Sequence, residues 1–229
     1  MLQVRASEER GHSKLSWLDS RFSFSFDQYY DPEHTQFRSL RVLNEDVIAP
    51  SQGFGMHPHR DMEILTWVLD GEIQHRDSTG GEGVIRPGEL QHMSAGTGVM
   101  HSEFNPSAKK ATHMLQIWLT PERRGLKPMY EQLAFPDMDL RGKFCHVAGP
   151  NAPVTIRQDA DLYVTRLDKG EWAARPIGEG RHAWVQVARG SVSVNGIQLK
   201  QGDGAALSKE REVRVEAAEA AEVLVFDLA

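Results

Sequence analysis

Short stretches in which apolar and polar positions alternate recur along the whole chain, and few segments keep helical spacing. The pattern predicts strands over residues 22–26, 40–47, 63–69, 73–75, 113–119, 162–167, 183–187, 192–194 and 223–228. Between them stand Asp70-Gly71, Thr79-Gly80-Gly81, Pro87-Gly88, Asn195-Gly196 and Gly202-Asp203-Gly204, several of which are preferred pairs for tight turns between antiparallel strands. The chain therefore reads as a mostly antiparallel all-β protein. The one helix expected covers residues 129–133, inside a connector over 121–153 that reads as irregular.

A short internal repeat favours two barrels over one large sandwich. Val68-Leu69-Asp70-Gly71-Glu72-Ile73 aligns with Val187-Ala188-Arg189-Gly190-Ser191-Val192, and Pro87-Gly88-Glu89-Leu90 with Gln201-Gly202-Asp203-Gly204. Both halves then read as strand, Gly turn, strand, loop, Gly turn, strand.

Within the first half, His57-Pro58-His59 and His101-Ser102-Glu103 each place two metal-competent side chains at i and i+2. On a strand that spacing sends both to one face, so two such strands lying across from each other present three imidazoles and one carboxylate to a single ion. Pro58 pushes His57 away from helical geometry. Carried through the repeat, His57 and His59 fall on Pro176 and Gly178, and His101 and Glu103 on Val215 and Ala217, so only one half is expected to hold a metal. Glu63 falls on His182. His12, His34, His75, His92, His113, His146 and His182 are read as ordinary surface or hydrogen-bonded core residues. Trp67, Trp118, Phe24 and Phe104 are read as barrel core, although an apolar pocket around a metal would also recruit such residues.

Composition narrows the partners. The 229 residues are 40% hydrophobic and 25% charged with a formal net charge of −6, ordinary for a globular protein and without the excess of Lys and Arg that phosphate binding uses. Direct nucleic-acid binding is disfavoured, and no run approaches the length of a membrane span. The single cysteine, Cys145, excludes an intramolecular disulfide and a structural zinc cluster. With no apolar leader after Met1, these features predict a cytoplasmic protein, more readily monomeric than an obligate oligomer.

Gly53-Phe54-Gly55-Met56-His57-Pro58-His59-Arg60-Asp61-Met62-Glu63 and Met93-Ser94-Ala95-Gly96-Thr97-Gly98-Val99-Met100-His101-Ser102-Glu103 resemble the motifs of the pirin family within the cupin superfamily, in its bacterial quercetinase-like branch. The stretch Gly98 to Asn105 matches the wider superfamily's Gly-x-x-His-x-x-x-Asn, whereas Gly96-Thr97-Gly98 departs from its usual Pro-x-Gly. The resemblance is dense from about Arg10 to Leu119 and thin beyond Pro121.

The resemblance implies a bicupin of two β-barrels (double-stranded β-helix, or jelly-roll, domains), residues 1–135 and 136–229, with one divalent metal in the first. The metal is usually iron; Mn, Co, Ni, Cu or Zn suits the same donors. The ligands carry over to His57, His59, His101 and Glu103. Glu63 occupies the carboxylate position of the wider superfamily, so Glu103 and Glu63 are both candidates for the catalytic base. The implied activity is a quercetin 2,3-dioxygenase-type cleavage of a flavonol by O2. The alternatives are a metal-dependent, redox-sensing regulatory protein that works through a protein partner without turnover, and a catalytically silent metal-binding barrel.

Overall fold

The computed structural model describes residues Met1–Ala229, and strands make up nearly all of its regular structure. Four sheets form two barrels. In the first, a seven-stranded sheet runs in the order Met129–Ala134, Glu89–Ser94, Glu63–Asp70, Thr112–Leu119, Leu40–Ile48, Leu18–Phe22 and Gly11–Lys14. A four-stranded sheet of Gly53–His59, Val99–Phe104, Ile73–Asp77 and Glu82–Ile85 closes over it. The second barrel repeats the plan, with Gly204–Ser208, His182–Arg189, Ala221–Leu228, Ala160–Leu167 and Cys145–Gly149 in the large sheet and Trp172–Pro176, Glu212–Ala217, Ser191–Val194 and Ile197–Lys200 in the small one. The first strand of the chain, Leu2–Arg5, joins this second large sheet, pairing Leu2 with Leu207 and Arg5 with Gly204. No helix is long and apolar enough to cross a membrane.

Alternation along the central strands decides what each barrel contains. In Glu63–Asp70, Leu65, Trp67 and Leu69 point to one side, where they join a core of 25 buried residues drawn from both large sheets. That core lies between the barrels. Thr66 and Val68 point the other way, into the first barrel. The interior of the second barrel is a continuous cluster of 17 mostly Val, Ala and Leu side chains. The first barrel holds only separate groups of five and three, which leaves room for polar side chains and a cavity.

Polar contacts also cross the junction. Trp67, fully buried, donates from Nε1 to Glu222 Oε1 at 2.6 Å, and Glu222 accepts from Arg166 Nε at 2.7 Å. Buried Arg10 donates from Nη1 to Glu45 Oε2 at 2.7 Å and to the Gly202 carbonyl at 2.9 Å.

Two expected elements differ. The strand expected at 22–26 runs instead over Leu18–Phe22, because a tight turn that pairs Phe26 with Tyr29, with Asp27 at φ 50°, ends the extended path. Residues 129–133 form no helix. Met129–Ala134 is a strand, because the free edge of Glu89–Ser94 takes its backbone groups from Met129 opposite Ser94 to Ala134 opposite Glu89, and a partnered edge outweighs a weak local helix preference. The short helix falls at Asp137–Leu140, directly after Pro136. The Asn195-Gly196 turn forms as expected, with positive φ at both residues, between Ser191–Val194 and Ile197–Lys200.

Trp67→Phe keeps most of the buried ring and removes the donor to Glu222, so urea unfolding should show a stability loss of about 1–3 kcal/mol. A loss below about 0.5 kcal/mol would show that this bond adds nothing to the junction.

Candidate metal centre

Val99–Phe104 lies between Gly53–His59 and Ile73–Asp77, with His101 directly opposite His57 on one side and Asp77 on the other. A bulge at this point puts Glu103 opposite Phe54. Within it, His57 Nδ1 lies 2.7 Å from the Gly55 carbonyl. A carbonyl only accepts, so Nδ1 carries a proton and, in the neutral ring, Nε2 keeps its lone pair.

His101 is fixed in the same way from behind. Asp77 Oδ2 lies 2.9 Å from His75 Nε2, and His75 Nδ1 lies 3.4 Å from His101 Nδ1. With Asp77 accepting, a neutral His75 donates from Nε2 and accepts at Nδ1, so that His101 donates from Nδ1 and its Nε2 is left unprotonated. These tautomers are assigned from the partners. His101 Nε2 and His57 Nε2 then face each other at 3.0 Å with both lone pairs unprotonated. That arrangement is repulsive by itself and fits a shared cation, since two nitrogens at right angles with bonds of about 2.1 Å lie about 3.0 Å apart.

The ligating atoms of His57, His59 and His101 all lie within 4.8 Å of one another. Burial, then the neighbouring His101 and His57, lowers the His59 pKa to about 4. Burial, with His57 and His75, lowers that of His101 to about 3. Both are neutral at pH 7, the form a metal requires. Glu103 belongs to an overlapping group with His101 and His75, and its carboxylate accepts from Thr66 Oγ1 at 3.2 Å and from Gln116 Nε2 at 2.8 Å.

Glu63 is not brought to this cluster. It shares the strand face of Leu65 and Trp67, so it points to the junction between the barrels. There it accepts from Ser94 Oγ at 2.5 Å and from the Arg157 backbone N–H at 3.1 Å, and pairs with His92 Nε2 at 2.9 Å. His92 also reaches Glu131 at 3.3 Å. Both His75 and His92, read from sequence as ordinary, are fully buried in networks. The signal for His75 was available: His75-Arg76-Asp77 has the same i, i+2 spacing as His57-Pro58-His59.

The histidines open into a cavity of about 450 Å³ whose walls include Trp17, Phe22, Phe26, Phe54 and Trp118. Trp118 therefore lines the cavity, with its ring edge-to-face on His59 at 4.7 Å. Phe24 and Trp67 pack between the barrels. Phe104 is 43% exposed on the outer face of the small sheet and is not core.

In the second barrel, the strand registers correct the repeat alignment by one or two residues. Val215, opposite Val194, takes the place of Glu103 opposite His75; Val213, opposite Arg175, takes that of His101 opposite His57. Val213 and Val215 are part of the apolar core. Arg175 donates to Asp227 at 2.7 Å. No pair of imidazoles forms there.

The molecule is thus a pair of cupin-type barrels, one with a histidine cluster at the floor of an aromatic cavity and one filled by apolar side chains. The chain belongs to the pirin family: the pirin family model matches residues 3–119, and that of the quercetinase C-terminal cupin domain matches residues 147–228. A protein of Escherichia coli K12 named quercetin 2,3-dioxygenase is 43% identical over 228 residues, spanning 100% of this chain and 99% of that one. The crystal structure of bacterial pirin YhhW from Escherichia coli in complex with nickel(II) superposes with a TM-score of 0.93 at 44% identity, over 100% of this chain and 99% of that one. A quercetin 2,3-dioxygenase from Acinetobacter baumannii superposes with a TM-score of 0.76 at 26% identity, over 95% and 84%.

The junction network predicts a pH signature. Burial disfavours the charged His92 imidazole, but Glu131 and Glu63 outweigh it and hold its pKa above the ordinary 6.5. Burial also works against the Glu63 carboxylate, and His92, Ser94 and the Arg157 N–H outweigh it and hold its pKa below 4.5. The charged set stabilises the fold fully between those ordinary values; that contribution is lost as pH rises through the raised His92 pKa and as it falls through the lowered Glu63 pKa. The difference in urea midpoint between wild type and His92→Gln should be larger at about pH 5.5 than at about pH 9. A pH-independent difference would rule out a charged His92.

Proposed function

We propose that the protein is a metal-dependent oxygenase of the quercetin 2,3-dioxygenase type, taking a flavonol and O2 as substrates. The observation that carries this reading is the convergence of three imidazoles, two with their Nε2 atoms aimed at each other at 3.0 Å, at the floor of an aromatic-walled cavity. In the proposal His57, His59 and His101 hold one divalent transition metal through their ring nitrogens, with Glu103 as the fourth ligand. The proposed resident ion is iron; nickel in the related YhhW complex agrees with a donor set that also suits Mn, Co, Cu and Zn. When bound, such an ion supplies Lewis acidity toward the flavonol oxygen and one-electron chemistry toward O2.

The chain's own residues do the rest. Asp77 and His75 hold His101 in one tautomer, and Gly55 does the same for His57. Thr66 and Gln116 aim the Glu103 carboxylate, which takes the proton of the flavonol hydroxyl on a carboxylate oxygen as that hydroxyl loses it. Trp17, Phe22, Phe26, Phe54 and Trp118 receive a flat aromatic body and exclude water, and the volume is in the range of small-molecule sites. Glu63 has no part in this chemistry. We also propose residues 136–229 as a unit without metal, and a cytoplasmic monomer that contacts neither nucleic acid nor membrane, in keeping with the net charge of −6 and the single cysteine.

Metal titration should rank three variants. Glu103→Gln should lose the most affinity; Asp77→Asn, which acts through His75, should lose about 10 to 100-fold; Glu63→Gln should bind as wild type. If Glu63→Gln is the weakest binder, the ligand assignment is wrong.

Protein loaded with Fe(II), Mn(II), Co(II), Ni(II) or Cu(II) should consume quercetin and O2 and release carbon monoxide. The zinc form should be slow, because zinc has no redox chemistry to share with O2. His57→Ala/His59→Ala should bind no metal yet remain folded, since the apolar cores lie elsewhere. Turnover by no metal form above that double variant would refute the oxygenase reading and leave metal-dependent binding of a protein partner as the one to pursue.

A further inference from the structure

The cavity wall beside Glu103 is polar where a barrel interior is normally apolar. Two rungs of the large sheet make it. Ser20 lies opposite Asp46, and its hydroxyl donates to the Asp46 carboxyl; Asn44 lies opposite Gln116, which donates to Glu103. All four side chains are buried and all four line the cavity. The row therefore runs continuously from the carboxylate of the histidine site to Leu18–Phe22 at the far wall.

This row is only partly satisfied from within the protein. Asn44 is 3% exposed, and its Oδ1 is buried with no hydrogen-bond partner. Asp46 is also 3% exposed, and the Ser20 hydroxyl is its one side-chain partner. Burying a polar atom without a partner costs free energy, and a molecule entering the cavity that Asn44 and Asp46 line could offset that cost.

We propose that Asn44 and Asp46, with Ser20 behind them, form a second anchoring point that hydrogen-bonds an oxygen substituent of the aromatic ligand other than the one held at the histidine cluster. The proposal rests on the flavonol reading above and refines it: the favoured ligand is a polyhydroxylated flavonol rather than any flavonol with the chelating group alone. Burial first, and then the charge of Glu103, pushes the Asp46 pKa up to about 7 against the Ser20 hydrogen bond. Asp46 accepts one hydrogen bond, from Ser20, and its carboxyl lines the cavity with acceptor capacity left for a phenolic hydroxyl. Asn44 offers an amide donor and acceptor beside it.

The test compares quercetin with 3-hydroxyflavone, which keeps the 3-hydroxyl and 4-carbonyl and lacks every other hydroxyl. Dissociation constants are measured on the metal-loaded protein without O2, by quenching of the tryptophans at the cavity (Trp17 and Trp118), and kcat/KM is then measured in air. Wild type should prefer quercetin by at least about tenfold in both, because a site built to hydrogen-bond a hydroxyl rejects the analogue lacking it. Asn44→Leu and Asp46→Leu should bring the ratio to within about threefold by weakening quercetin, with 3-hydroxyflavone little changed.

Equal affinity of wild type for the two compounds overturns the proposal without any variant, so it survives the loss of a poorly folded mutant. An unchanged ratio in both variants, while wild type turns quercetin over, overturns this anchoring point and leaves the oxygenase reading intact. If wild type neither binds nor turns over either compound, both fall together.

Discussion

The packing of the two large sheets against each other is the constraint on which the rest of this structure depends. A barrel this small normally fills its interior with apolar side chains, as the second one does with its cluster of 17. The first barrel cannot, because its interior holds a histidine cluster, a row of buried polar groups and a cavity of about 450 Å³. Its apolar burial is moved to the outer face of its large sheet, where Leu43, Leu65, Trp67, Leu115 and Ile117 meet Leu162, Phe226 and their neighbours in the 25-residue core. The second barrel therefore serves the first as a hydrophobic partner, and Leu2–Arg5, which starts the chain on that second barrel, ties the two together.

Strand alternation turns this arrangement into a site. A single strand, Glu63–Asp70, gives Trp67 to the junction and Thr66 to the Glu103 carboxylate. The same parity separates two glutamates that look alike in sequence. Glu63 becomes part of a buried charged set with His92 and Glu131, while Glu103 stands beside His101. Direction of the side chain, not nearness in the motif, separates them.

The two barrels also show what replaces a site when one is absent. Val213 and Val215 stand where His101 and Glu103 do in the first barrel, and they close the space with the apolar contacts that the second core needs. Near the corresponding opening, Asp227 is held by Arg175 and Arg181. Charges paired with one another occupy that position, whereas in the first barrel His57 Nε2 and His101 Nε2 face each other at 3.0 Å.

The sequence alone determined the all-β class, the doubled plan and the three histidines, because each is written in short-range spacing: alternation for strands, Gly pairs for turns, and i, i+2 pairs for one strand face. His75-Arg76-Asp77 and Asn44-Glu45-Asp46 carry that same spacing, so it was legible as well that each pair shares a strand face, but not that one lies behind the cluster and the other beside it. Only the tertiary structure decided that residues 129–134 become a strand, since that depended on an open edge at Glu89–Ser94. It alone decided that Glu63 faces the junction and that Leu2–Arg5 serves the distant barrel. A one-residue difference in register reverses every side chain's face, so local spacing fixes which residues travel together, and long-range pairing fixes where they arrive.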